Sequence, residues 1–320
     1  MRCVIILVCF LTLCPVGFAI AGPTFKFTVK AVDTNGNPIS DAETSATFTG
    51  SKSQVVEGKT DKNGLFSASG ATTPICGVTV KKEGYYTSGY SFEQMILEHL
   101  DESEKGLFNR WVPWNPTVEV ILKEKRNPIP MYVGGTGGHK EIPIFDQPVG
   151  YDLEKNDWVA PYGDGNIKDF IFVFYVSDQN AKSWEEWSCS YNLTFSNDND
   201  GILEYFPPKD SKSEYIWPYE APETGYQHAI TGFNSMEKNA NDTYRNETTY
   251  NQERNYIFRV RTKVGSKGNI VEAKYGKIRG DIIQGLKTVA FGYSLNPTGT
   301  RNLEFSGENL FTSDKNKYPY

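Results

Sequence analysis

The sequence predicts an all-β protein in which a small β-sandwich over residues 22–124 is followed by a larger second β-sandwich over residues 125–320. Aromatic residues make up 14% of the chain, with 19 Tyr and 19 Phe, and flat rings of this kind pack well on pleated strands. Short segments alternate apolar and polar residues between turn signals, without a recurring amphipathic helix. With 38% hydrophobic residues among 320, the chain can bury two cores.

Residues 1–21 have the pattern of a secretory signal peptide. A single early Arg2 precedes an apolar run over residues 4–13, and the small residues Ala19 and Ala21 mark the expected cleavage site. The run is too short to span a bilayer comfortably, and no charged stop-transfer flank follows it, which argues against a retained anchor. We therefore expect the mature chain to be secreted or periplasmic.

Charge and hydropathy restrict the expected partners. The formal net charge is −6, and removal of Arg2 with the signal makes it −7. A mildly acidic chain without basic runs is a poor candidate for binding nucleic acid. No later stretch is apolar enough to cross a membrane. The expected partner is an extracellular carbohydrate or an envelope protein, and no motif calls for a cofactor.

Five cysteines are present, and the signal contains three of them, Cys3, Cys9 and Cys14. The remaining two, Cys76 and Cys189, lie far apart in the sequence and fall in different predicted domains. They could pair in an oxidising compartment, but two buried free thiols are the favoured state.

The first domain begins with a half-buried strand. In residues 25–32 the apolar Phe, Phe, Val and Ala alternate with Lys, Thr and Lys, which is the period of two that such a strand shows. Residues 33–38 contain an Asn-Gly pair and a proline that predict a turn, and residues 60–64 repeat this turn chemistry. Further strands are predicted from residue 77 to the glycine at residue 84 and at residues 117–123.

One stretch of the first domain departs from the β pattern. Phe92, Met95, Ile96 and Leu100 fall at helical spacing and predict a short amphipathic helix before the last strand. His99 lies in this stretch without a second His or Cys at helical spacing, so we interpret it as a surface or packing residue.

Three signals of this domain have a spacing that is typical of one family. They are the Gly-Asn-Pro turn at residues 36–38, the Thr-Asp-Lys-Asn-Gly turn at residues 60–64 and the Lys-Glu-Gly-Tyr strand end at residues 82–85. In this spacing, residues 24–124 resemble the carboxypeptidase-regulatory-like, transthyretin-like β-sandwich. The resemblance implies a sandwich fold, an exported protein and a non-catalytic module.

The second domain follows a proline-rich linker at residues 127–130. A continuous apolar run at residues 170–176 predicts a strand that is covered on both faces. Residues 191–195, 255–264 and 287–295 alternate more clearly, with turn signals between them. Many strands without helices favour a second all-β sandwich.

Two segments of the second domain, residues 151–165 and 295–305, are similar to segments of uncharacterised exported bacterial proteins that also carry the transthyretin-like unit. This resemblance implies a bacterial envelope or secreted setting. It implies no activity, so the function of the domain stays open.

The densest polar cluster lies in residues 152–169. Its candidate residues are four aspartates and two aromatic residues: Asp152, Asp157, Asp164, Asp169, Trp158 and Tyr162. Paired carboxylates can act as general acid and base on a glycosidic bond, and an exposed indole can stack on a sugar ring. The alternative, which turn chemistry favours, is that the aspartates cap turns of a glycine-rich loop. A second candidate ligand surface is the pair Trp184 and Trp187, for which core packing is the alternative.

Other polar signals are interpreted as turns and loops. The alternating oxygens of Asp33, Asn35 and Asn37 could approach calcium, but the distal glutamate of a calcium loop is absent and turn geometry explains these residues. His139 could join Asp146 at a metal, yet the three histidines of the chain show no ligand spacing. The sequence has no Gly-x-Ser-x-Gly motif and no cysteine with a neighbouring histidine, so it predicts no catalytic nucleophile.

These observations lead to two hypotheses of different classes. The first is an exported non-catalytic binding or structural protein that recognises carbohydrate or an envelope protein. The alternative is a carbohydrate-active hydrolase that uses the aspartate-rich loop at residues 152–169. The hydrolase hypothesis requires the carboxylates of this loop to converge in a cleft. The binding hypothesis is favoured if they instead cap turns of the loop.

Overall fold

The computed structural model describes residues 23–99, 110–136, 139–178, 180–182, 186–208, 213–239, 241 and 243–311. The expected signal at residues 1–21 and the candidate Trp184 lie outside the described residues. The chain divides into two compact units. The first contains residues 23–124 with Ser213 and Glu214, and the second contains the other described residues from Lys125 onward.

The protein is all-β, as the sequence predicts, with 51% of the described residues in strands and 2% in helix. The strands of the first unit are β1 (Thr24–Val32), β2 (Glu43–Phe48), β3 (Gln54–Lys59), β4 (Leu65–Ala71), β5 (Cys76–Lys81), β6 (Ser88–Ser91) and β7 (Thr117–Ile121). They form a sheet of order β4-β1-β7 and a sheet of order β3-β2-β5-β6. Strand β1 pairs antiparallel with β4 and parallel with β7.

The two sheets of the first unit share one core. Alternate residues of β1 point into it, and the rings of Phe27 on β1 and Phe48 on β2 lie 5.8 Å apart between the sheets. The predicted helix is present as α1 (Glu93–Leu97), and Phe92 and Ile96 pack in the core. The unit is therefore a β-sandwich with a single helical turn added before its last strand.

The predicted turns of the first unit are confirmed. Asp33 Oδ1 accepts hydrogen bonds from the backbone N–H groups of Asn35 and Asn37, at 2.8 and 2.9 Å. Asp61 Oδ1 accepts the equivalent pair from Asn63 and Leu65, both at 2.8 Å. These side chains replace backbone partners inside the turns, which is the usual role of aspartate at such positions.

The second unit is larger and holds the remaining strands. They are β8 (Ile129–Gly135), β9 (Lys140–Glu141), β10 (Pro148–Asp152), β11 (Asp157–Trp158), β12 (Phe170–Val176), β13 (Trp187–Thr194), β14 (Gly201–Tyr205), β15 (Ala229–Lys238), β16 (Tyr244–Thr248), β17 (Asn255–Val264), β18 (Ile270–Ile278), β19 (Ile283–Gln284), β20 (Thr288–Ala290), β21 (Gly292–Leu295) and β22 (Phe305–Asn309). Two sheets have six strands each, in the orders β11-β10-β12-β13-β15-β16 and β14-β17-β18-β21-β8-β22. A small sheet has the order β19-β20-β9.

Aromatic side chains from both large sheets fill the core of the second unit. Phe170 of β12 meets Phe258 of β17 at a ring distance of 5.1 Å, with the rings nearly perpendicular. Edge-to-face contacts of this kind suit the charge distribution of aromatic rings. The second unit is thus a second β-sandwich.

The expectation that residues 170–176 are covered on both faces is wrong. Phe170, Phe172 and Phe174 are fully buried, whereas the residues between them are only partly covered and Tyr175 is 45% exposed. The strand lies in an antiparallel sheet whose inner face meets the other sheet, so burial alternates although the sequence does not.

The two cysteines among the described residues, Cys76 in the first unit and Cys189 in the second, are buried free thiols, as expected. Burial raises the pKa of Cys76 to about 12 and that of Cys189 to about 11. Within the part of the chain that the structure describes, no helix has the length and apolar character needed to cross a bilayer.

Candidate functional site

The aspartate-rich loop connects strands at one end of the second sandwich. Asp152 is the last residue of β10, Asp157 is the first of β11, and Asp169 immediately precedes β12. Asp152 and Asp169 are buried, Asp157 is partly buried and Asp164 is exposed. The structure therefore brings two of the four predicted carboxylates into the interior of the unit.

Asp152 is used as a backbone cap. Its Oδ2 accepts hydrogen bonds from the N–H groups of Asn166 and Ile167, at 2.9 and 3.0 Å. Its Oδ1 accepts from the N–H groups of Glu154 and Lys155, at 3.0 and 3.2 Å. One carboxylate thereby fixes both ends of the loop and satisfies four backbone donors.

Asp169 is held by Arg261, a residue of β17 in the opposite sheet. Arg261 Nε donates to Asp169 Oδ1 and Arg261 Nη2 donates to Asp169 Oδ2, both at 2.8 Å. The same Nη2 also donates to Asp152 Oδ1 at 3.2 Å. Burial raises the pKa of Asp169, and the guanidinium opposes this shift only in part. The fork of two parallel bonds is the strong geometry of an arginine–carboxylate pair.

Arg261 also reaches the exposed side of the loop. Its Nη1 donates to Glu154 Oε2 at 2.5 Å, and Lys274 of β18 contacts the other oxygen of Glu154. Burial would lower the pKa of Arg261, but Asp169 and Glu154 raise it above its usual range. This charge clamp, defined by Asp152, Glu154, Asp169, Arg261 and Lys274, ties the loops of one sheet to strands of the other.

A bulge in β17 positions the arginine. Arg261 has a left-handed backbone with φ of 57°, at a register shift between Val260 and Lys263. Buried Asp200 compensates for the interrupted pairing, because its two oxygens accept the N–H groups of Arg261 and Thr262, both at 2.9 Å. The bulge turns the arginine side chain toward the two aspartates.

Asp157 and Trp158 also have structural contacts. Asp157 Oδ1 accepts a hydrogen bond from Lys140 Nζ at 2.5 Å, and its Oδ2 accepts from the N–H of Asp164 at 2.9 Å. Burial would raise the pKa of Asp157, but these donors lower it overall. Trp158 is buried, and its ring packs edge-on against Tyr151 at 5.1 Å. The indole is therefore part of the core and does not present a face to a ligand.

The remaining candidates lie at the surface or at strand ends. Tyr162 is exposed, and its backbone N–H donates to the carbonyl of Val159 at 3.2 Å. Trp187 is partly buried and pairs with Met236 across β13 and β15. Trp184 is outside the described residues, so the expected tryptophan pair stays a prediction.

Sequence reasoning missed four residues of this site: Lys140, Glu154, Arg261 and Lys274. Arg261 is separated from Asp169 by 92 positions, and its strand reads as an ordinary alternating segment with its charged residues toward solvent. No local pattern marks an arginine that turns inward at a bulge.

The fold and the clamp define a two-unit, all-β protein whose acidic loop is locked by charge pairs. No protein-family model and no curated protein matches the chain. Among solved structures, a 3-chlorocatechol 1,2-dioxygenase from Rhodococcus opacus is 14% identical, with a TM-score of 0.21, over 32% of this chain and 61% of that one. The shaft pilin SpaA from Lactobacillus rhamnosus GG is 10% identical, with a TM-score of 0.21, over 79% of this chain and 92% of that one. The major pilin BcpA of Bacillus cereus is 10% identical, with a TM-score of 0.22, over 88% and 99% respectively.

Proposed function

We propose that this protein is an exported, non-catalytic binding protein that recognises an extracellular carbohydrate or an envelope protein. The observation that carries the proposal is that the buried carboxylates of the aspartate-rich loop are engaged in structural contacts. Asp152 and Asp169 hold the loop in place and join it to the opposite sheet through Arg261. The secretory pattern of residues 1–21 supports export, and the resemblance of residues 24–124 to the transthyretin-like family supports a non-catalytic first module.

A glycoside hydrolase needs one carboxyl group that gives a proton to the leaving oxygen and a second that attacks or activates water. Asp152 accepts four backbone hydrogen bonds in addition to the arginine bond, so both of its oxygens are used within the fold. Asp169 accepts two bonds from Arg261 and one from the N–H of Leu153. Movement of either carboxylate toward a substrate would break these contacts, which argues against a role for them in turnover.

The test measures binding and hydrolysis on the same preparation. The purified protein is incubated with cellulose, xylan, chitin and peptidoglycan, and both retention on the polysaccharide and release of reducing ends are recorded. We expect retention on at least one of them without release of reducing ends. The matched variants are Asp157→Asn, at the ion pair with Lys140, and Asp164→Asn, at an exposed carboxylate.

Reducing-end release that disappears in Asp157→Asn, but persists in Asp164→Asn, would establish the hydrolase instead. The binding part of the proposal would be contradicted if the protein neither binds nor cleaves any of these polymers and also fails to bind purified envelope proteins. Circular dichroism of both variants separates loss of activity from loss of fold.

A further inference from the structure

A cavity of about 220 Å³ lies in the second unit, far along the chain from the aspartate-rich loop. Strands β13, β15 and β16 form one side of it, and residues 282–284 form the other. Strand β16 is the edge of its sheet and is largely exposed, so the cavity opens beside a free sheet edge.

We propose that this cavity is a binding site for one ring of a neutral saccharide. The proposal rests on the proposed function, since it assigns a location and a ligand class to binding without catalysis. Its support comes from four properties of the described residues around the cavity: their charge, their hydrogen-bonding groups, an exposed ring and the size of the space.

The cavity lining carries no charged side chain among its described residues, which favours a neutral ligand. Among the described residues that line it, every polar side chain is an amide or a hydroxyl, and none is Asp, Glu, Lys, Arg or His. A charged ligand would lose hydration on entry and find no opposite charge to replace it. A polyhydroxylated neutral ligand keeps its hydrogen bonds by exchanging water for amide and hydroxyl groups.

Two amide side chains line the cavity. Asn246 Nδ2 donates to Asn234 Oδ1 at 3.1 Å and to the carbonyl of Ser235 at 3.0 Å, which orients the amide and leaves its oxygen as an acceptor. Gln284 is only 3% exposed, and its Nε2 donates to the carbonyl of Tyr175 at 2.9 Å. Within the described part of the chain, Gln284 Oε1 has no hydrogen-bond donor. Because this oxygen is inaccessible to solvent, the amide group that a ligand can reach is that of the exposed Asn246.

An exposed ring provides the apolar contact that a sugar needs. Tyr250 lines the cavity and is 48% exposed. Phe233 contributes its backbone, because its side chain projects from the opposite face of β15 to Gly232. The C–H face of a pyranose ring packs on an aromatic face, while its hydroxyls reach the Asn246 amide.

The backbone and the size of the cavity fit a single ring. A Cβ atom at Gly232 would lie 2.1 Å from the ring of Tyr191, so the glycine is what allows this tyrosine to lie flat under β15.

Sites for drug-sized ligands occupy about 300–1,000 Å³, and the present cavity is smaller. It therefore takes one sugar ring, and the remainder of a longer chain would extend past the exposed edge strand.

The experiment uses the purified full chain, made in a bacterial host, because Asn246 begins an Asn-Glu-Thr sequon that a eukaryotic host could modify. Saturation-transfer NMR is recorded with glucose, galactose, mannose, N-acetylglucosamine and their β-1,4-linked disaccharides as neutral probes. Glucuronic acid and sialic acid are the anionic probes. We expect transfer to at least one neutral probe and none to the anionic ones.

Two variants at exposed positions locate the site without disturbing the core. Tyr250→Ser and Asn246→Ala should each weaken the affinity for the bound neutral sugar at least ten-fold. Phe206→Ser is the matched control, because Phe206 belongs to the same unit and is 47% exposed but does not line the cavity, and its affinity should stay within two-fold.

The outcomes separate the two proposals. Neutral sugar binding that Tyr250→Ser and Asn246→Ala leave unchanged would place the site elsewhere and overturn this inference, while the proposed binding function would stand. A preference for the anionic probes, or binding of an extended peptide at the β16 edge without any sugar binding, would also overturn it. Hydrolysis of the probes would contradict the proposed function itself, whatever the variants show.

Discussion

Lys277 on β18 is a buried lysine whose environment favours the neutral amine. It is only 6% exposed, its Nζ donates to the carbonyl of Leu303 at 2.5 Å, and it lies over the rings of Tyr215 and Trp217, at 5.3 and 5.5 Å. Burial, with a smaller contribution from Arg279, lowers its pKa from 10.5 to about 7, and the negative charge of Glu304 opposes the shift.

A lowered lysine pKa has a defined effect on stability. Below pH 7 the folded and unfolded states both carry the proton, so the cost of burying the charge is fully present. Between pH 7 and pH 10.5 the folded state has released the proton while the unfolded state retains it, so the free energy of unfolding rises with pH. Integrated from pH 7 to pH 9, this gain is about 2 kcal/mol for this one group.

Replacement of Lys277 by methionine removes the titration and keeps a long apolar side chain. We expect the stability advantage of Lys277→Met over the wild type to shrink by about 2 kcal/mol between pH 7 and pH 9. The assay is urea unfolding of the full chain at several pH values, followed by tryptophan fluorescence. Taking the difference between the two proteins cancels the titration of all other groups.

The matched control is Lys263→Met, at an exposed lysine that pairs with Glu272. Its stability difference from the wild type should not vary with pH over the same range. A difference for Lys277→Met that is equally flat would show that the buried amine keeps its ordinary pKa, and the reasoning from burial would be refuted.

Three further predictions concern the clamp, the cavity floor and the thiols. Arg261→Leu should lower the free energy of unfolding by about 3–5 kcal/mol, because it leaves two buried aspartates without their cation, as urea unfolding would measure. Gly232→Ala should cost about 1–3 kcal/mol by the same measurement, because the added Cβ overlaps a buried aromatic ring. Cys76 and Cys189 should react with iodoacetamide at pH 8 only after urea unfolding, since burial raises both thiol pKa values, and mass spectrometry would count the labels.

Each of these has a matched comparison. Arg245→Leu, at an exposed arginine, and Gly50→Ala, where an added Cβ meets nothing closer than 3.6 Å, should change the free energy of unfolding by less than about 0.5 kcal/mol. A clamp variant as stable as Arg245→Leu would mean that the buried aspartates do not depend on Arg261. Thiol labelling that is complete in native buffer would contradict the burial of both cysteines.

Local chemistry made much of the architecture predictable. The alternation of residues 25–32 indicates a half-buried strand because successive side chains point to opposite faces, and β1 buries the expected face. The Asn-Gly turns follow from residues that accept left-handed backbone angles, as Gly36 and Gly64 do with φ of 82° and 75°. These features depend on neighbours within a few positions, and the sequence contains those neighbours explicitly.

The role of the acidic loop was decided only by the tertiary structure. Asp152 and Asp169 could have lined a cleft or capped a loop, and their sequence spacing is compatible with both. Arg261 lies 92 positions beyond Asp169 and turns inward only because a bulge in β17 is held by Asp200. Trp158 reads as a candidate sugar platform, but it is buried because β11 pairs at the sheet edge with its indole turned to the core.

The sequence by itself determined the all-β class, the turn positions, the short helix and the burial of both thiols, because each follows from local preference or composition. Three features depend on which distant strands pair or pack together. They are the burial of only one face of β12, the charge clamp, and the cavity with an uncharged lining. Strand pairing in a sandwich joins residues that are far apart along the chain. A hydrophobic pattern indicates that one face of a strand is buried, but it does not indicate which other strand packs against that face. The partner of Asp169, for example, is brought to it only by the folded chain.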